Sequence, residues 1–116
     1  MSARAGSVRL CRADELVEGS SRGFDPLGQG RDTVFVVRHG GLFHAYRDAC
    51  PHVAGAPMAW RKDAYLNRAG SRIVCHAHGA QFLPDSGLCV QGPCLGRFLT
   101  RVPLVLDGDG EIFVSV

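Results

Sequence analysis

The chain has 116 residues, enough for one domain over residues 1–116, with 46% apolar and 21% charged residues and a formal net charge of +2. So small a charge argues against a nucleic-acid partner, and no stretch nears the ~20 consecutive apolar residues that span a bilayer, so no membrane partner is expected. The opening MSARAGSVRLCRADEL lacks the apolar stretch of a secretion signal, which makes the cytoplasm the expected location.

Fifteen glycines and six prolines point to a fold with many turns, all-β rather than helical. SVRLCR, residues 7–12, reads as a first strand, followed by a helical turn at 13–16 and a short strand near Phe24. Residues 33–38 and 42–47 are β-branched and aromatic runs around His39-Gly40-Gly41, the pattern of a hairpin. AWRKDAYL, residues 59–66, is the one stretch that could support helix. It is too short to be stable alone, so a turn or short helix held by tertiary contacts is expected. SRIVC, AQFL and LCV follow as short strands, and RVPLVLDGDGEIFVSV closes the chain as a last hairpin turning at residues 107–110. The total is roughly eight to ten strands.

Five cysteines, an odd number with no export signal, favour metal or cluster ligation over a disulfide framework. Cysteine and histidine occur together twice, in Cys50-Pro51-His52 and in Cys75-His76-Ala77-His78. Each group lies in a loop at a strand end and leads to a glycine, Gly55 or Gly79, where backbone N–H groups can approach a buried anion without a Cβ in the way. Thiolate and imidazole suit zinc, and also iron in a mixed-ligand cluster. A usual zinc finger pairs cysteine with cysteine and histidine with histidine; here each loop supplies one of each.

In that order of ligands the chain resembles the Rieske family of [2Fe-2S] proteins, in which two cysteines hold one iron and two histidines the other. The resemblance implies Cys50, His52, Cys75 and His78 as ligands of one [2Fe-2S] cluster per chain. Gly92-Pro93-Cys94 is similar to the family's third, proline-containing loop, so Gly55, Gly79, Gly92 and Pro93 are assigned to the cluster-covering loops. The implied fold is an antiparallel β-sandwich with a small cluster-binding subdomain at one end, at about residues 48–96. One departure is the separation of His52 from Cys75, whose 22 residues exceed what is usual in the family. The surplus falls in WRKDAYLNRAGS, with turn chemistry at residues 67–71 that indicates a lengthened hairpin.

High-potential members add an inter-loop disulfide and hydroxyl hydrogen bonds to sulfur; this chain has Gly55 and Ala77 at the disulfide positions, and Ala80 and Phe82 at the hydroxyl positions. A low potential for a Rieske centre is therefore expected. The resemblance implies a soluble, ferredoxin-like one-electron carrier, not itself an enzyme, between a flavin-dependent reductase and a terminal oxygenase. The alternatives are a small Rieske subunit of a multisubunit reductase, similar to that of assimilatory nitrite reductase, or a structural zinc module.

The remaining candidates have plainer readings. His76 adjoins Cys75, and adjacent residues of an extended loop point oppositely, so His78 is the better ligand and His76 a solvated neighbour. His39 and His44 read as surface histidines of a hairpin. Cys89 and Cys94 are close enough in sequence to bond, yet a reducing compartment favours thiols. Cys11 reads as packing, Trp60 as an anchor for the inserted segment, and Asp107 to Gly110 as a hairpin turn and not a calcium loop.

Overall fold

The computed structural model describes residues 7–51, 58–59, 62–76 and 79–115. Ten strands occur in chain order among them: β1 Ser7–Arg12, β2 Ser21–Phe24, β3 Val34–His39, β4 Leu42–Arg47, β5 Ile73–Cys75, β6 Ala80–Phe82, β7 Cys89–Gln91, β8 Arg101–Val102, β9 Leu104–Leu106 and β10 Glu111–Ser115. The only helical element described is the 3-10 turn Ala13–Glu15 after β1. The strands form three sheets, β1-β10-β9, β2-β3-β4-β8 and β5-β6-β7, with every pairing antiparallel.

β3 explains how the sheets stack. Its Val-Phe-Val-Val run is buried at every position, and successive strand residues face opposite sides. Val34 and Val36 enter a core with Cys11, Leu16, Ala45, Ile112 and Val114, between the first two sheets. Phe35 and Val37 enter a second core with Tyr46, Tyr65, Ile73, Phe82 and Leu99, between the middle sheet and β5-β6-β7. The expected sandwich is thus the first pair of layers, and the small third sheet covers the other face of the middle one. Phe35 stacks on Tyr65 with ring centroids 4.2 Å apart, which ties the segment before β5 to that face.

Two details differ from the sequence-based expectations. The closing hairpin is only β9–β10: β8 pairs with β4 instead, through Ala45↔Val102 and Tyr46↔Arg101. Pro103 separates the two strands, and lacking an N–H it is a natural place for the chain to leave one ladder for another. Between Ala59 and Leu66, where a turn or short helix was expected, the described residues form a turn and no helix. A turn at Lys62 and Asp63 is docked on β2, where Asp63 accepts the Gly23 N–H at 2.8 Å and the Ser21 hydroxyl at 2.7 Å. It leads into a hairpin in which Leu66 bridges Ile73, and Asn67 Oδ1 accepts the Ser71 N–H at 2.9 Å in the connecting turn.

The second difference is His44, which is buried and not a surface residue. Period-two alternation puts it on the same face of β4 as Tyr46, opposite Val37 of β3. Cys11 is buried in the first core, as its packing role requires. The turn before β10 is capped by Asp107, whose Oδ1 accepts the N–H groups of Asp109 and Glu111, both at 2.9 Å.

Candidate metal centre

Cys50 follows β4 and Cys75 ends β5, and both belong to the second core, with 2% and 0% of their surface exposed. The sequence placed them 25 positions apart; folding puts both sulfur-bearing residues in one apolar region. The other two expected ligands, His52 and His78, lie outside the described residues, as do Gly55 and Trp60. Among the described residues alone, no group of three or more His, Cys, Asp and Glu side chains is placed to hold a metal ion.

The frame around the two cysteines rests on Asp48. This buried carboxylate accepts the Met58 N–H at 2.8 Å and the Tyr65 hydroxyl at 2.7 Å, while the Asp48 N–H donates to Thr33 O at 2.9 Å. Both carboxylate oxygens are therefore paired inside the protein. Burial, reinforced by the bond to Asp48, pushes the Tyr65 phenol well above its ordinary range, so it stays a donor. Met58 O in turn accepts the His76 N–H at 3.0 Å. One backbone unit thus links the segment leading into Cys50 with the residue after Cys75.

Gly79 closes the second loop by donating to Cys75 O at 2.8 Å, with φ at 72°. Among the described residues, its chain neighbours apart, no atom lies within 4 Å of where its Cβ would be, and the positive φ by itself favours glycine there. Space is the constraint at Gly92. At φ 104° its Cβ would stand 2.7 Å from Ala80 Cα, so the loop carrying Gly92 and Pro93 packs directly on the chain just after the second cysteine-histidine group. Arg97 of the same loop donates to Pro51 O at 3.1 Å. The third loop therefore touches both of the others. His76 is exposed beside Cys75.

Sequence reasoning missed Asp48, Met58 and Tyr65, because a single carboxyl, thioether and phenol form no motif. The one signal was the position of Asp48, two residues before Cys50. Chemically, two buried thiols at converging loops are soft donors suited to iron or zinc. The Gly92 cradle, which no larger residue would fit, matches a loop pressed over such a group. The residues present fit an iron–sulfur cluster.

A model of the Rieske [2Fe-2S] domain matches residues 6–106. The chain belongs to the Rieske [2Fe-2S] family. Its cofactor is a [2Fe-2S] cluster, and it is an electron-transfer protein and not a catalytic enzyme. This Rieske protein is 32% identical over 110 residues to the ferredoxin component of the alkene monooxygenase system of Xanthobacter autotrophicus (strain ATCC BAA-1158 / Py2), covering 93% of this chain and 80% of that one. Among solved structures it is similar to the ferredoxin of carbazole 1,9a-dioxygenase from Nocardioides aromaticivorans IC177. The two are 30% identical with a TM-score of 0.70, and the match covers 94% of this chain and 96% of that one. It also shares the fold of a chain in a complex of reduced oxygenase and oxidised ferredoxin in carbazole 1,9a-dioxygenase, at 24% identity and a TM-score of 0.73, covering 97% and 94% of the two chains. No helix among the described residues is long and apolar enough to cross a membrane.

Proposed function

We propose that this Rieske protein takes one electron from a flavin-dependent reductase and delivers it to a terminal oxygenase, in the cytoplasm. The observation that carries this reading is the 32% identity, over nearly the whole chain, to the ferredoxin component of an alkene monooxygenase system. In this reading residues 1–116 form one Rieske unit with its cluster-binding part at about 48–96. Cys50 and Cys75 hold one iron, and His52 and His78 the other. The bound cluster supplies a reversible one-electron couple.

The chain's own residues set the surroundings of that couple. Phe82, Ala80 and Met58 are buried around the two cysteines and exclude water from the sulfur side. Ala80 and Phe82 carry no hydroxyl, and Gly55 and Ala77 cannot form an inter-loop disulfide. This supports a potential toward the lower end of the roughly −150 to +300 mV range of Rieske centres. The acceptor's docking face would include Leu95 and Phe98, exposed by 67% and 59% on the third loop beside Arg97.

The test begins with colour and iron. The purified protein should be red-brown, contain iron and acid-labile sulfide, and gain an electron paramagnetic signal on reduction. His52→Ser and His78→Ser should each abolish the characteristic visible spectrum, and an unchanged spectrum removes that histidine from the ligand set. Product formation by a reconstituted reductase and oxygenase should depend on added protein. Isolation only in a permanent complex with a large flavin or haem subunit would replace the free carrier with the reductase-subunit reading.

A further inference from the structure

Cys89 and Cys94 take no part in the ligand set, yet their Sγ atoms stand 3.3 Å apart, in contact but unbonded. Both cysteines are free; Cys94 is placed to donate to Cys89 Sγ, and Cys89 to Gln91 O at 3.2 Å. A disulfide places the two sulfurs about 2.05 Å apart, a closure of little more than an ångström from this contact. Cys89 is held in β7, where its N–H donates to Arg97 O at 2.7 Å and its carbonyl accepts the Gly96 N–H at 3.0 Å. Cys94 belongs to the opposite side of the turn those bonds close. It is the single buried residue in an exposed run, with Gln91, Gly92 and Pro93 exposed before it and Leu95 to Phe98 exposed after it.

We propose that Cys89 and Cys94 form an oxidisable dithiol that closes to a disulfide across the third loop. With hydrogen peroxide as the two-electron oxidant, one S–S bond forms, the O–O bond breaks, and the two thiol hydrogens leave in two molecules of water. The ring so formed encloses Gly92 and Pro93, tying the loop that packs on Ala80 to strand β7. A dithiol such as dithiothreitol reverses the step by thiol–disulfide exchange. The pair is distinct from Cys50 and Cys75, and the step does not depend on which protein receives the electron.

The holoprotein, freed of reductant, is treated with a small molar excess of peroxide while its visible spectrum is followed. Remaining thiols are then alkylated in denaturant, and the chain is cut before Asp85 and after Arg97. The fragment 85–97 contains Cys89 and Cys94 and no other cysteine. The expected result is that this fragment becomes unalkylated and two hydrogens lighter than the dithiol form, regains both alkyl groups after dithiothreitol, and does so while the visible spectrum persists. In Cys89→Ser and Cys94→Ser the loss of mass disappears. A fragment 85–97 that stays doubly alkylated, that is oxidised to sulfinic acid without a bridge, or that is cross-linked to Cys11, Cys50 or Cys75 would overturn the proposal. The wild-type fragment decides the matter even if a serine variant fails to fold.

Discussion

Asp48 carries more of the site's geometry than any other single side chain among the described residues. Its two oxygens pair two donors that have no access to water, so Asp48→Ala leaves the Met58 N–H and the Tyr65 hydroxyl unsatisfied. Each such group costs about 1–3 kcal/mol, and the expected loss is about 2–5 kcal/mol in denaturant unfolding, with faster bleaching of the visible spectrum. Asp48→Asn keeps an acceptor for Met58 and should lose less. Gly92 is the other sensitive residue, for a steric reason: a methyl group there meets the Ala80 backbone at 2.7 Å and also suffers the positive φ. Gly92→Ala should cost about 1–3 kcal/mol from overpacking and backbone strain and shorten cluster retention at fixed temperature. The same substitution at Gly79 faces only the φ cost, so its effect should be the smaller of the two.

At the level of the strand, β4 contains a polar group that its burial does not satisfy. Neither ring nitrogen of His44 has a hydrogen-bond partner among the described residues, and burial, with the nearby Arg101 charge, holds its pKa below the ordinary value despite the opposing influence of Asp85. A depressed pKa means that the unfolded chain takes up a proton at about pH 6.5 while the folded protein does not. Stability should therefore fall as the pH drops through about 6.5 toward the folded pKa. His44→Leu should raise stability by about 1–3 kcal/mol, the penalty of a buried unpaired group. It should also flatten the slope of melting temperature against pH between about 7.5 and 5.5. A variant with the wild-type slope would remove His44 as its source. The hairpin turn beside it is held electrostatically: Glu18 accepts the N–H groups of Gly40 and Gly41 at 2.7 and 2.9 Å, and these bonds hold its carboxyl below the usual range.

Across the whole molecule, both cores are built on β3, so neither can be lost while the other keeps its wall. Val36→Ala, in the core remote from the cysteines, should cost about 1–3 kcal/mol. It should also lower the temperature at which the visible spectrum bleaches, in step with the far-ultraviolet circular dichroism transition. An unchanged bleaching temperature would show that the cluster-binding part melts on its own. The hairpins, the apolar run of β3 and the spacing of Cys50 and Cys75 were all legible in the chain, because turn chemistry, alternation and ligand order are local properties. The final hairpin was misjudged where propensity met a tertiary demand, because Val102 is drawn into the ladder of β4; of the turn or short helix expected at residues 59–66, the docking of Asp63 on β2 selected the turn. His44 looked like any hairpin histidine until a third layer covered its face. The order of thiols and imidazoles along the chain determined the family and the cofactor, since ligand chemistry depends on residue type and spacing. Only folding decided that Asp48 bridges toward both loops and that Gly92 presses on Ala80, because each contact joins segments whose separation no local rule constrains.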